Sequence, residues 1–320
     1  MLLKLVPDQT HIGFTKMRFV AMALSAFLVV GSLVAVFTIG LNFGVDFRGG
    51  VTIEVADDEP IDIGAVRTTV SDLGLGTVDV QEIQDFAGAD KAVLVRIGQQ
   101  PGGDDEAANG DSTQQDARVL AQEALRELLG EGIDFRKVDV VGPTVSGELI
   151  QKGALAVALA IAMMLIYIWL RFEWQFSLGA IVALVHDVII TLGMFAVTRL
   201  EFNLAIIAAI LTIVGYSMND TVVVYDRVRE NLRKFKQKPL ADLLDLSIND
   251  TLSRTVMTSV TTMLALLVLV IFGGEVLRGF TLAMIWGVVI GTYSSVFVAS
   301  PFLLATDVKR DWSKVAPASA

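Results

Sequence analysis

The residues with the clearest chemical potential are polar and charged side chains inside otherwise apolar segments. Asn219 and Asp220 follow an apolar run that begins near Leu204, and a string of charges begins at Asp226. Ionisable residues in a bilayer are costly and usually face the interior of a helix bundle. A carboxyl group there can be neutral or charged, and the two forms favour different surroundings. Asp220 is thus a candidate ion-binding group; the alternative is an interfacial charge about 10 Å of helix before Arg227.

The residues around Asp220 form a polar stripe on one face of the predicted helix. They recur at i, i+3, i+4, i+7, i+8 spacing and are Thr212, Gly215, Tyr216, Asn219 and Asp220. A stripe of small and polar residues is expected to pack inward rather than face lipid. The following apolar segment carries a second stripe, which consists of Thr251, Arg254, Thr255, Thr258, Thr261 and Thr262.

Arg254 is the informative member of the second stripe, because threonine hydroxyls can bond to their own helix carbonyls. Asp220 and Arg254 lie toward the same predicted membrane side, on helices joined by one loop. An ion pair between them is therefore feasible. The alternative for Arg254 is a side chain that extends to the membrane interface.

His186 and Asp187 lie near the middle of another apolar segment, at a depth where an interfacial charge is not an option. They are either a second proton-handling pair or a structural polar knot between helices. The knot is slightly favoured, since adjacent residues on a helix point about 100° apart and are not expected to face one site.

Composition indicates a polytopic membrane protein. Of the 320 residues 53% are hydrophobic and 19% are charged, with a mean hydropathy of +0.62. Six segments approach the roughly 20 apolar residues that a span requires, and they cover about 19–39, 154–170, 176–197, 204–225, 255–272 and 280–304. The first is too long for the core of a signal peptide, which runs about 7–15 residues, so we expect an uncleaved helix.

Charge asymmetry orients the predicted spans. Basic residues concentrate at the N-terminus, after the second span, in the loop 226–254 and in the tail, which all share one side when there are six spans. The positive-inside rule makes that side cytoplasmic. We therefore expect a cytoplasmic N-terminus (1–18), a first helix (19–40), an outer domain (41–150), helices two to six (151–304) with the cytoplasmic loop 226–254, and a cytoplasmic tail (305–320).

The outer block is acidic, with 22 acidic and 8 basic residues in 41–150, which argues against nucleic acid as a partner. The chain has no cysteine and only two histidines, His11 and His186, so we expect neither a metal site nor a cofactor. The glycines at 74 and 76 do not form a phosphate-binding loop.

Periodicity in the outer block predicts a small α+β domain. Strand patterns at 50–56, 77–83, 91–97 and 134–141 alternate with helical patterns at 62–74 and 116–130. The order βαββαβ is that of a ferredoxin-like split unit. The segment 98–115 has no apolar period and is expected to be a flexible excursion. The domain either contacts another protein or is a passive spacer.

Several motifs resemble one family along nearly the whole chain. The sequence VGYSMNDTVVVYDRVREN (214–231) resembles the fourth-span signature of the SecD/SecF family of protein-export membrane proteins, in its SecF branch. LNFGVDFRGG (41–50), VGPTVSGEL (141–149), ALVHDVIITLG (183–193) and SRTVMTS (253–259) are similar to other stretches of that family in the same order.

The resemblance implies a fold, partners and site residues. It implies a six-span RND-type half in a bacterial inner membrane. The half pairs with a SecD-type subunit, works with the SecYEG channel, and uses a flow of H⁺ or Na⁺ to draw exported unfolded polypeptides outward. The family's ion-translocating residues match Asp220 and Arg254, with Asn219 beside them. A coupling role is carried over to the stretch after the first span, on Asp46, Arg48, Gly49 and Gly50.

Two other functions remain open on the residues alone. One is an RND-type exporter half for lipid or drug with the same ion relay. An aromatic and methionine-lined pocket in the outer block would favour it, but 41–150 holds only four aromatic residues, Phe43, Phe47, Phe86 and Phe135. The other is a membrane scaffold without transport. No motif indicates a hydrolase or a kinase, so we expect no classical enzyme.

Overall fold

The computed structural model describes residues 7, 10–57, 60–84, 91–100, 106–130, 132–306 and 308. These residues form two compact units. The sheet unit comprises Asn42–Val157 and Glu201–Leu204, and the rest of the described chain forms the helical unit. The basic residues at positions 4, 309, 310 and 314, whose charges enter the predicted orientation, lie outside the described residues.

Six helices are long and apolar enough to cross a membrane, which confirms the predicted number of spans. They are α1 (Arg18–Thr38), α5 (Pro143–Arg171), α6 (Trp174–Thr198), α7 (Leu204–Lys234), α8 (Leu240–Phe272) and α9 (Gly274–Ser294). A 3₁₀ turn, Phe14–Met17, precedes α1. A π-helix, Ser295–Ala299, and the short α10, Ser300–Ala305, extend α9, and we call α9 together with these two extensions the last helix.

Three of these helices form the centre of the helical unit. About half of the residues in the apolar windows of α6, α7 and the α9–α10 helix are buried, whereas α1, α5 and α8 bury few of theirs. The core joins aromatic and aliphatic side chains such as Phe176, Tyr225 and Leu303. The central helices are therefore packed against protein, and the other three present apolar surface outward, as expected in a membrane.

Glycines bring α9 close to α7. A Cβ added at Gly287 would overlap the side chain of Ile213, and one added at Gly291 would lie 2.9 Å from the Cβ of Ser217. Small residues at a helix interface let two backbones approach closely and let polar groups reach across. This close approach carries the end of α9 to the polar side chains of α7.

The segment 226–254 is largely helical rather than a loop. Helix α7 continues to Lys234 and α8 begins at Leu240, so only 235–239 connects them. Ion pairs tie this end of the bundle together, with Arg227 2.9 Å from Asp250 and Arg171 3.1 Å from Asp226. The basic residues of this segment therefore lie on α7, on α8 and in the short connection between them.

The sheet unit contains a four-stranded antiparallel sheet. Its strands, in chain order, are β2 (Gly50–Asp57), β3 (Val78–Gln84), β4 (Lys91–Ile97) and β5 (Asp134–Val141), and in space they follow the order β3-β4-β2-β5. Helices α3 (Ile63–Asp72) and α4 (Glu106–Leu129) supply Val66, Val70, Ala121 and Leu125 to the core beneath the sheet. Asp62 caps the N-terminus of α3, since its carboxylate accepts from the backbone amide nitrogens of residues 64 and 65.

Helix α4 starts earlier than its apolar pattern predicts. It begins at Glu106 rather than near residue 116, so the expectation of a non-helical excursion is wrong for 106–115; residues 101–105 are outside the described part. The reason is that a helix, once nucleated, gains one hydrogen bond for each residue that it orders, and this propagation carries α4 through 106–115 although these residues have no apolar period.

We predict that Gly287→Ala destabilises the helical unit by about 1–3 kcal/mol, because the added methyl group has no room beside Ile213. Thermal unfolding of the purified protein in detergent measures the change. Gly31→Ala is the matched control, since a Cβ there meets nothing within 4 Å. Equal stability of the two variants would show that α7 and α9 are not packed as described.

Candidate functional site

Asp220 lies in the interior of the helical unit, on α7. Its side chain is 7% exposed. The hydroxyl of Thr255 on α8 donates to Oδ1 at 2.6 Å, and the hydroxyl of Ser295 on the last helix donates to Oδ2 at 2.5 Å. Both carboxylate oxygens are therefore held by neutral donors from two other helices.

Arg254 does not form the predicted ion pair. Its side chain is exposed, and it makes no contact of 4 Å or less with Asp220 in the described part of the chain, although its positive charge still acts on the carboxylate. The physical reason is helical geometry: Thr255 faces Asp220, so its neighbour Arg254 points about 100° away. The two predicted partners are near each other but are not bonded.

The polar stripe around Asp220 is mostly not packed inward within this chain. Thr212, Gly215 and Asn219 are exposed, and only Asp220 is buried. Tyr216 is half-buried and donates a hydrogen bond of 3.2 Å to Ser259 on α8. The expectation of inward packing is therefore wrong for the first three, because the described helices of this chain leave that face of α7 open.

The open face continues onto α8. Arg254, Thr258 and Thr261 are exposed there, and the two threonine hydroxyls donate to carbonyl groups of their own helix. Exposed polar groups on two adjacent spanning helices are unfavourable against lipid. We call the surface formed by Thr212, Asn219, Arg254, Thr258 and Thr261 the polar face.

His186 and Asp187 form one buried cluster with serines of two other helices. His186 Nδ1 lies 2.9 Å from Asp187 Oδ1, while Ser217 and Ser294 donate to Asp187 Oδ2 at 2.5 and 2.7 Å. The expectation that the two neighbours face different sites is wrong, since the imidazole turns back to the adjacent carboxylate. The bonds of Asp187 join α6, α7 and α9, which is the arrangement of a polar knot.

Five residues of this network, Ser217, Ser259, Thr292, Ser294 and Ser295, were not singled out from the sequence. Ser217, Ser294 and Ser295 contact the two carboxylates, and Thr292 bonds Ser259 at 2.8 Å. The one available signal was the run of hydroxyl-bearing residues at 292–295 inside an apolar segment. Among the residues described, no group of three or more acidic or histidine side chains is placed to hold a metal ion.

Asp46 contacts the first residue of the helix that carries Asp220. Its Oδ2 accepts a hydrogen bond of 2.9 Å from the backbone nitrogen of Leu204, where α7 begins. The first amides of a helix have no partner within the helix, and a carboxylate there also interacts favourably with the helix dipole. Asp46 therefore caps α7 from outside the helix.

The backbone of the stretch 42–50 is shaped by glycines and a short sheet. Strand β1 (Asn42–Phe43) pairs in parallel with β6 (Glu201–Phe202), directly before α7, and the short helix α2 (Val45–Arg48) follows β1. Gly49 and Gly50 have φ of 69° and 117°, and a Cβ at Gly50 would overlap the carbonyl of Ile97. Other residues would be strained at both positions.

Charged side chains surround this stretch within the sheet unit. Arg96 pairs with Glu201 at 2.8 Å. Burial lowers the pKa of Lys137, but the hydrogen bond and charge of Asp139 and the charges of Glu201 and Asp46 outweigh it, so the pKa is raised. Its charge therefore favours folding, and this contribution is lost only as the pH rises past the ordinary value of 10.5. Arg48 is exposed and lines a cavity of about 490 Å³.

Comparison with protein families gives two matches that cover most of the site. Residues 121–309 match the family described as protein export membrane protein SecD/SecF, C-terminal, and residues 34–56 match the SecD/SecF GG motif. The first match contains both buried carboxylates. The second contains Asp46, Arg48 and the two glycines.

Individual relatives extend the likeness over the full length. The chain is 48% identical to the protein translocase subunit SecF of Cereibacter sphaeroides, over 98% of this chain and 94% of that one. It is 44% identical to the subunit of the same name from Rhodobacter capsulatus, over 98% and 95%.

Solved structures share the fold. A crystal structure of SecDF from Thermus thermophilus, described as a translocon-associated membrane protein, matches with a TM-score of 0.80 and 32% identity. A crystal structure of SecDF in a super-membrane-facing form matches with a TM-score of 0.66 and 35% identity. Each match covers 95% of this chain and 40% of the solved chain, so this chain spans less than half of those proteins.

We predict that Asp46→Ala weakens the first turn of α7 by about 0.5–2 kcal/mol, because the amide of Leu204 loses its acceptor. Hydrogen exchange at the amides of residues 204–206 should become faster. Asp79→Ala is the control, since that exposed carboxylate bonds the side chain of Gln81. Unchanged exchange at residue 204 would contradict the capping role of Asp46.

Proposed function

We propose an ion-coupled role for this chain on the premise that it belongs to the SecD/SecF family of protein-export membrane proteins, as a SecF subunit. It is a multi-pass membrane protein and an auxiliary subunit of Sec protein export, with a SecD-type partner. The relatives do not favour an exporter of lipid or drug.

Asp220 is the ion-binding group of the proposed relay, with Arg254 and Asn219 as its neighbours. The observation that carries this assignment is a buried carboxyl whose two oxygens accept from Thr255 and Ser295. Hydroxyl groups can donate to a charged carboxylate and can also accept from a neutral carboxyl. The same site can therefore hold both forms of Asp220.

The charge of Arg254 supplies a way to favour one form over the other. A nearby cation stabilises the ionised carboxylate, and burial favours the neutral acid. Movement of the guanidinium toward or away from Asp220 would thus release or load an ion. One charge that crosses the whole membrane field gains about 2.3 kcal/mol per 100 mV, which suffices to bias two helix arrangements.

The polar face is the surface that we assign to the SecD-type partner. Its exposed members include the Arg254 side chain, which would be costly against lipid. A second set of membrane helices placed there would cover the relay and exclude lipid from it. This accounts for the exposure of Asn219 beside a buried Asp220.

The sheet unit is assigned to the outer side of a bacterial inner membrane, with 41–150 outside and with 1–18, 226–254 and 305–320 cytoplasmic. Its strand order and antiparallel pairings support a ferredoxin-like βαββαβ fold. Asp46, Arg48, Gly49 and Gly50 would couple this domain to α7, because Asp46 bonds the first residue of that helix.

In the proposed cycle, the relay uses an H⁺ or Na⁺ gradient to draw exported unfolded polypeptides outward from the SecYEG channel. The chain's own contribution is the relay at Asp220 and the link from α7 to the outer domain. No covalent step is involved, and no cofactor is required.

We predict that Asp220→Asn abolishes ion-driven stimulation of export while membrane assembly persists, because the amide keeps the shape but cannot titrate. Asp220→Glu should retain a part. Arg254→Ala should also abolish stimulation, and Arg254→Lys should not restore it, since a point charge does not reproduce the guanidinium fork. The assay is translocation of a secreted reporter under an imposed pH gradient and then under a sodium gradient.

The control for this series is Asp226→Asn, an exposed carboxylate on the same helix that pairs with Arg171; it should keep full activity. The double variant Asp220→Asn with Arg254→Ala should be no worse than either single variant if the two residues act as one unit. Full activity of Asp220→Asn under both gradients would end the relay proposal.

A separate prediction concerns the partner. The chain has no cysteine, so single cysteines can be introduced and labelled with a photoreactive maleimide. Asn219→Cys and Thr258→Cys on the polar face should cross-link to a SecD-type subunit lacking cysteines. Val185→Cys, exposed on α6, should not. Equal cross-linking from all three positions would contradict the assignment of the polar face.

A further inference from the structure

Two adjacent serines of the last helix contact two different buried carboxyl groups. Ser294 donates to Asp187 Oδ2 at 2.7 Å, and Ser295 donates to Asp220 Oδ2 at 2.5 Å. Both serine side chains are fully buried. One turn of helix is therefore attached to α6 through Asp187 and to α7 through Asp220.

The backbone changes its winding at this point. Helix α9 ends at Ser294, and the π-helix begins at Ser295 and ends at Ala299. The hydroxyl of Ser300 donates at 2.9 Å to the carbonyl of Ser295, five residues earlier, and so helps to hold the wider turn. Single π-helical turns inside α-helices are rare and occur frequently at functional sites.

Each serine also has a second acceptor within its own helix. Ser295 Oγ lies 3.0 Å from the carbonyl of Thr292, and Ser294 Oγ lies 3.2 Å from the carbonyl of Gly291. A hydroxyl carries one hydrogen and can also accept. Each serine can therefore donate to an ionised carboxylate, or turn its hydrogen to the helix carbonyl and accept from a neutral acid.

The charged and titratable groups near the two carboxyls come from three elements. Helix α8 contributes the charge of Arg254 near Asp220. Helix α6 contributes His186, which bonds Asp187, and the last helix contributes Tyr293, whose ring stacks on His186 at 6.1 Å. Among the described residues, none of these groups contacts Ser295. The direction in which its hydroxyl donates therefore depends first on Asp220, the carboxyl that it touches.

We propose that Ser294 and Ser295 are positioning residues that hold Asp187 and Asp220 on a single turn of the last helix and thereby link the state of one carboxyl to that of the other. The inference rests on the proposed relay through Asp220 and adds Asp187 to it. When Asp220 becomes neutral, the hydrogen of Ser295 turns to the carbonyl of Thr292 and the hydroxyl accepts from the acid, so the shared turn keeps a charge-assisted bond only to Asp187. When both carboxyls are neutral, the turn loses both charge-assisted bonds.

The test follows the protonation of Asp220 directly in the assembled SecD–SecF complex. Dicyclohexylcarbodiimide reacts with protonated carboxyl groups in apolar surroundings, and mass spectrometry of the peptide that contains Asp220 quantifies labelling across pH. Ser295→Ala should move the labelling midpoint of Asp220 to higher pH by about one unit, because the ionised form loses a donor. Ser295→Thr keeps the hydroxyl and should restore the midpoint.

Ser294→Ala tests the link between the two carboxyls. Of the two carboxyls, Ser294 bonds only Asp187, so a shift of the Asp220 midpoint in the same direction, smaller than that of Ser295→Ala, is expected from the loosened turn. Thr281→Val is the matched control, since this buried hydroxyl of α9 bonds only the carbonyl of Leu277 among the bonds described. That variant should leave the midpoint unchanged.

Two results would overturn the inference. An Asp220 midpoint in Ser295→Ala equal to that of Thr281→Val would remove the positioning role, and an unmoved midpoint in Ser294→Ala would remove the link. Both readouts are independent of export. A failed relay, seen as full export by Asp220→Asn, is thus distinguishable from a failed serine pair.

Discussion

The membrane part of this chain is organised by the cost of keeping an ionisable carboxyl group away from water. A buried carboxylate is tolerated only when its oxygens find donors. Asp220 takes its donors from two helices and Asp187 from three residues on three helices, one of them its own neighbour. These bonds require α6, α7, α8 and the last helix to lie close together. The glycines of α9 meet that requirement, since they let its backbone approach α7.

Much of this arrangement follows from local sequence. Hydropathy predicts the six helices, because each must satisfy its backbone within the membrane on its own. Strand-type patterns predict the four strands of the sheet unit nearly to the residue, even for β2, which is buried along nearly its whole length. A carboxyl in an apolar run marks Asp220 as a functional candidate. All of these signals are determined by residues that are close to one another in the sequence.

The remaining features depend on how distant residues meet. Ser295 is an ordinary residue for an apolar helix, so nothing in its type shows that it bonds a carboxylate 75 positions away. The contact between Asp46 and Leu204 spans 158 positions; family resemblance marks Asp46 as functional but gives no contact. The orientation of Arg254 is not predictable from the sequence for a related reason. Spacing places Arg254 and Thr255 on one broad stripe, and only the rotation of α8 decides which of them meets Asp220.

Because of that rotation, α8 has two positions in which a different side chain would face Asp220. The neutral hydroxyl of Thr255 faces Asp220. The cationic side chain of Arg254, one residue earlier in the sequence, lies about 100° away around the helix axis. Turning the helix through that angle would exchange a neutral donor for a cation without changing its length or its depth in the bilayer. Few of the residues along the apolar part of α8 are buried in this chain, whereas Asp250 nearer its start is paired with Arg227, so the freedom to turn lies in the apolar part. The rotation of this one helix would then decide whether Thr255 or Arg254 faces Asp220.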